Sequence, residues 1–199
     1  GQEPAFDSSF LLAGKVDRID LGRQLSRWVK AGKLIQLRRG VYLLGEPYRK
    51  KAPHPFALAH RLKRASYISL QSALAHHGLI PDAVPSITSI TTGRPETLST
   101  PLGIFIFRHV KKELFFGYRL ADLGNGLTAF VASPEKALLD LLYLTPGSDD
   151  PDYLAELRLQ NLGSLDAGML AASAFRFGSA KLERSSSAIL RILGKYGTS

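Results

Sequence analysis

An α+β fold, with a basic helix-and-hairpin module first and a neutral module after it, is what three features of the 199-residue sequence predict. Charge is segregated. Residues 1–64 hold 14 Lys/Arg against 5 Asp/Glu, whereas residues 65–199 hold 12 of each, so the whole net charge of +9 lies in the first third. A helix with one apolar face precedes two short β-prone runs joined by Arg38-Arg39-Gly40. Further on, alternating strand-like segments give way to helical periodicity.

Composition narrows the class before any motif is read. Hydrophobic content of 45% and charged content of 22% suit a folded globular protein. The absence of cysteine excludes disulfides and thiolate metal sites and fits a cytoplasmic protein. No run approaches the roughly 18 apolar residues of a membrane helix, and no signal-peptide pattern is present. Gly1 in place of Met reads as a trimmed start.

In the first module, Asp20 is the expected N-cap and Gly32 the expected stop of a helix. Leu21, Leu25, Trp28 and Val29 fall at i, i+4, i+7 and i+8 and form its apolar face; Arg23, Arg27 and Lys30 fall opposite. Leu34–Leu37 and Val41–Leu44 then read as a hairpin around the arginine pair. Upstream, Ser8 or Ser9 is placed to cap a short helix over Phe10–Ala13. Helix, turn, basic helix and hairpin make a winged helix-turn-helix, whose second helix enters the DNA major groove while the hairpin forms the wing. Arg23, Gln24 and Arg27 are then the candidates for reading bases, since Arg forks onto guanine and Gln onto adenine. Lys30, Lys33, Arg38 and Arg39 are candidates for neutralising phosphates. Trp28 belongs to the core. A winged helix ordinarily has one further helix in front, for which residues 1–7 are too short.

Residues 49–64 read as a basic linker running into a helix, with Arg49-Lys50-Lys51 either following the phosphate backbone or solvated. The neutral module, 65–199, starts with a helix between Ser69 and Gly78 that buries Leu70, Ala73 and Leu74. Segments 86–92, 103–110, 113–120 and 126–132 predict a small, mainly antiparallel sheet. Ser133 then caps a helix with Pro134 at its first position and Ala137, Leu138, Leu141 and Leu142 on its core face. After the acidic break at 146–152, three helical segments at about 152–162, 165–177 and 179–194 form a C-terminal tail.

No catalytic, cofactor-binding or metal-binding set emerges. Ser133-Pro134-Glu135-Lys136 matches an S-x-x-K pattern, but its companion motifs are missing and capping explains Ser133. His76 and His77 are adjacent, so on a helix they diverge instead of sharing a metal. There is no glycine-rich dinucleotide motif and no P-loop.

Three runs, residues 25–42 (LSRWVKAGKLIQLRRGVY), 66–80 (SYISLQSALAHHGLI) and 133–143 (SPEKALLDLLY), together resemble the AbiEi family of antitoxins from type IV toxin–antitoxin systems of phage defence. The resemblance covers roughly residues 6–145. It implies a transcriptional repressor that binds inverted repeats in its own promoter through residues 1–48. It further implies an antitoxin that counteracts a nucleotidyltransferase toxin, directly or indirectly, with 65–199 as the antitoxin domain. By position the DNA-contacting face would be Arg23, Gln24, Arg27, Lys30, Arg38 and Arg39; no residues carry over for neutralisation. The alternative is a stand-alone winged-helix regulator whose second domain senses a ligand or dimerises.

Overall fold

The computed structural model describes residues 5–12, 17–81 and 84–196. Strand β1 (Ala5–Asp7) leads into a 3-10 turn at Ser8–Leu12, where the sequence predicts a short helix; Ala13 lies outside the described residues. Helix α1 (Arg18–Lys30) begins two residues before its expected cap. The Asp17 carboxylate accepts from the amides of Ile19 and Asp20 at 2.7 and 3.1 Å, so Asp17, not Asp20, is the N-cap. Asp20 sits instead in the first turn, where its charge meets the positive end of the helix dipole. At the other end Gly32 adopts φ 68°, and Lys33 N–H donates to Trp28 O and Gly32 N–H to Val29 O, the paired bonds of a Schellman stop.

Strands β2 (Leu34–Arg38) and β3 (Val41–Leu44) follow, connected by Arg39-Gly40, with Gly40 at φ 85°. They pair antiparallel, and β1 adds to the other side of β3 with Ala5 opposite Leu43, giving a three-stranded sheet ordered β1-β3-β2. Strand alternation gives this sheet two apolar faces. One carries Phe6, Leu34, Tyr42 and Leu44 and packs on Leu21, Leu25, Trp28 and Val29 of α1. The other carries Ala5, Leu37, Val41 and Leu43 and enters the main core beside Phe56, Leu58, Ala59 and Leu62 of helix α2 (Pro55–Leu62).

The larger sheet contains β4 (Ser66–Ile68), β5 (Ser86–Thr91), β6 (Glu96–Thr100), β7 (Gly103–His109), β8 (Tyr118–Asp122) and β9 (Thr128–Ala132). Its order is β6-β7-β5-β4-β9-β8. The sheet is mixed: β6/β7, β4/β5 and β8/β9 are antiparallel, while β5/β7 and β4/β9 are parallel. Three of the five pairings are thus antiparallel, in line with the expected mainly antiparallel sheet, and the two parallel pairings are what the sequence does not predict. The chain leaves β5, forms the edge strand β6 and only then returns as β7, so β5 and β7 run the same way. Residues 113–117 are not strand; a 3-10 turn at Lys112–Leu114 precedes β8.

Helix α3 (Leu70–His76) lies between β4 and β5, and α4 (Pro134–Leu144) follows β9. Ser133 Oγ accepts from Lys136 N at 3.2 Å, the expected cap. Ala137, Leu138, Leu141 and Leu142 are buried as expected, but so are Glu135, Lys136, Leu139 and Asp140, because α6 (Ala167–Phe177) and α7 (Ala180–Tyr196) cover the remaining side. A short α5 (Pro151–Glu156) precedes them. The whole is α+β with two sheets, and no helix among the described residues is long and apolar enough to cross a membrane.

Candidate nucleic-acid interface

The Leu25–Leu34–Tyr42 cluster fixes α1 against the small sheet and leaves the opposite side of the helix in solvent. Arg23, Arg27 and Lys30 project from that side at i, i+4 and i+7, all exposed, and Lys33 is exposed just beyond the helix. Gln24 is half-buried at the margin. Arg23 is 67% exposed and shares its charge with Asp20 at 3.1 Å, a surface pair worth less than about 1 kcal/mol and easily exchanged for an anion. Arg39 is exposed on the hairpin connection.

Arg38 does not join this face. Between Gln36 and Arg38 the register of β2 slips by one residue, so that Arg38 lies opposite Val41 while Gln36 lies opposite Tyr42. A one-residue bulge turns the following side chain to the other face of the strand. Val41 faces the main core, and Arg38 follows it: Nη1 donates to Leu62 O at 2.8 Å and Nη2 lies 3.3 Å from Glu96 Oε1. The expectation that both arginines stand at the tip is therefore corrected; Arg39 alone does.

Two further basic features escape the sequence reading. Arg18 is exposed in the first turn of α1 and lines one cleft with Ser8, Leu21, Gly22, Arg39, Gly40 and Tyr42, so the start of the helix and the hairpin turn border the same groove. Asp17 is as good a capping type as Asp20, and weighing it would have put Arg18 inside the helix. The second feature is a sheet end. Since β5 and β7 are parallel and β4 opposes β5, the loops after β5 and β7 and the residues before β4 meet there. Arg64, Arg94, His109, Lys111 and Lys112 are exposed around it, with Glu113 as the exposed acid. His109 Nδ1 lies 3.0 Å from Gly93 O and ties the two loops together. Equal numbers of acids and bases in residues 65–199 thus conceal a polarised surface. The Arg49–Lys51 stretch is partly tied down: Arg49 pairs with Glu46 at 3.9 Å, and Lys51 Nζ donates to Asn125 O.

Away from this surface, one ionic cluster is fully buried. Asp140 accepts from Tyr67 Oη at 3.0 Å, from Ser69 Oγ at 2.7 Å and from Lys136 Nζ, which also donates to Tyr67 Oη at 2.8 Å. The ammonium is caged by the rings of Phe177, Phe116 and Tyr67 at 4.8, 4.9 and 5.4 Å. Burial pushes the Lys136 ammonium down and the Asp140 carboxyl up, and each partner opposes the shift of the other. Gly117 is required at its wall: φ is 72°, and a Cβ there would lie 2.9 Å from Lys136 Cγ. Lys136 Nζ is thus engaged with Asp140 and Tyr67, while Ser133 caps the helix through Lys136 N. Among the described residues no group of three His, Asp or Glu is arranged to hold a metal ion.

Comparison of the chain with protein-family models and with curated proteins finds no match.

Proposed function

We propose that this chain is a DNA-binding transcriptional repressor of winged-helix type, acting as the antitoxin of a type IV toxin–antitoxin pair. The observation that carries DNA binding is a helix packed on a three-stranded sheet by its apolar face, with Arg23, Arg27 and Lys30 exposed opposite and Arg18 and Arg39 bordering one groove. In this reading α1 lies in the major groove. Arg23, Gln24 and Arg27 meet base edges, and Arg18, Lys30, Lys33 and Arg39 meet phosphates. Strand β1 gives the small sheet a third strand, and α2 covers the sheet face turned away from α1. The basic sheet end around Arg94 and Lys111 is of the right sign to flank the same duplex. Counteraction of a nucleotidyltransferase toxin rests on the resemblance of the three sequence runs to AbiEi antitoxins.

The test is fluorescence anisotropy with promoter duplexes over a salt series. Binding should weaken steeply with salt, and Arg39→Ala should lower the slope by about 0.9, the share of one phosphate. Arg27→Ala or Gln24→Ala should relax preference between related sequences by about 1–3 kcal/mol. Salt-insensitive or absent binding refutes the DNA reading. Growth rescue of cells expressing the neighbouring gene tests the antitoxin role; a toxic neighbour that the full chain fails to neutralise leaves a stand-alone regulator.

A further inference from the structure

The bulge that removes Arg38 from the basic face delivers it to an ion cluster joining the two sheets. Glu96 is the first residue of β6, the edge strand of the six-stranded sheet, opposite Phe107. Its carboxylate faces Arg38 Nη2 at 3.3 Å through one oxygen and Lys63 Nζ at 3.1 Å through the other. Arg38 Nη1 holds the last carbonyl of α2, Leu62 O, at 2.8 Å. Lys63 in turn lies 5.7 Å over the Phe107 ring, next to Glu96 in the ladder. Side-chain exposures of 34% for Arg38, 28% for Glu96 and 17% for Lys63 put the cluster half out of water, where hydrogen-bonded pairs hold geometry better than fully solvated ones. Three separate elements, β2, β6 and the end of α2, are thus fastened at one point, one residue away from Arg39 on the hairpin turn.

We propose that Glu96 is a positioning residue for DNA binding: through Arg38 it fastens the hairpin to the edge of the six-stranded sheet and so sets where Arg39 points. This rests on the DNA-binding reading and goes beyond it. Arg38 works by holding the hairpin, not by touching a phosphate, and any event at the β6 edge is felt at the hairpin tip. Contact and positioning leave different signatures. A lost phosphate contact lowers the salt slope, whereas a loosened hairpin weakens binding while the number of ions released stays the same.

The full chain, with a fluorescein-labelled duplex of its own promoter as probe, supplies the test. Arg38→Gln and Glu96→Gln should each weaken binding by a similar factor, about two- to thirtyfold, the range that coupling through packed networks produces. Both should leave the salt slope unchanged, and the double variant should bind no more weakly than either single one. Arg39→Ala is the contrast, with a slope lower by about 0.9. A slope reduced by Arg38→Gln, losses that multiply in the double variant, or a Glu96→Gln protein that binds like the parent would each overturn the proposal. A parent chain that binds no duplex at any salt removes the DNA reading as well, whereas a binding parent with an indifferent Glu96→Gln removes only the clasp. Circular dichroism establishes that the variants are folded. If Glu96→Gln is not, Arg38→Gln decides alone: weaker binding at unchanged slope upholds the proposal, and a slope lower by about 0.9 overturns it.

Discussion

Replacing Asp140 by Ala removes the one acceptor on which three donors converge. Tyr67 Oη at 3.0 Å and Ser69 Oγ at 2.7 Å lose their partner, and the Lys136 ammonium, 1% exposed, keeps only Tyr67 Oη and the surrounding rings. Breaking a buried pair from one side costs about 3–5 kcal/mol, because a charge stays behind without compensation. Set against a total stability of about 5–15 kcal/mol, that loss moves a urea midpoint far outside error. Loss of charge from Lys136 limits the damage and gives the variant a signature. Its amine is already held below the ordinary lysine value of 10.5 by burial, and without Asp140 it falls further. Below the folded pKa the variant must bury a charged amine; above it the folded state binds fewer protons than the unfolded chain, so stability rises with pH up to 10.5. The deficit should therefore be greatest below the folded pKa and shrink as pH is raised from there towards 10.5. Lys136→Met combined with Asp140→Leu should restore most of the loss. A deficit under about 1 kcal/mol for Asp140→Ala, or one that does not narrow with pH, would refute this reasoning.

Gly45→Ala should unseat α1 from the hairpin: a Cβ there would lie 2.1 Å from Gly32 O, while Gly45 N–H donates to Lys33 O at 2.8 Å. The expected cost is about 1–3 kcal/mol or more, read as a lower unfolding midpoint, and an unchanged midpoint contradicts the close approach. The His76 ring packs 5.5 Å from Phe56 and 5.1 Å from His77, and burial first, then His77 and His54, holds its pKa below 6.5. The unfolded chain then binds the extra proton, so the stability from a neutral His76 is complete above pH 6.5 and is lost progressively as pH falls from 6.5 through the lower folded pKa. Thermal midpoints of His76→Gln should fall less between neutral and acid pH than those of the parent; equal slopes would exclude His76 as the source.

Local signals carried the legible part of the fold. Ser133, Pro134 and a repeating leucine face mark α4 because cap, first-turn proline and periodicity act within one segment. Alternating Phe105 and Phe107 mark β7 for the same reason. What the sequence hides depends on distant partners. Strand β6, Glu-Thr-Leu-Ser-Thr, is a polar edge with a single apolar residue, and its insertion makes β5 and β7 parallel. The three-residue strands β1 and β4 are too short to show a period. The bulge at Leu37 has no proline or glycine to announce it, so Arg38 and Arg39 look equivalent on paper while facing different neighbours. Lys136 and Asp140, four apart, pass for a surface pair until α6 and α7 close over them.

Helix α2 and the small sheet share their apolar surface, and this bears on portability. A fragment ending at residue 48 would leave Ala5, Leu37, Val41 and Leu43 uncovered, and the remainder would bare Phe56, Leu58, Ala59 and Leu62. The helix-and-hairpin unit is therefore no cassette to be cut out and grafted at its apparent border. It travels with α2 or melts, and the intact chain should denature in a single cooperative step.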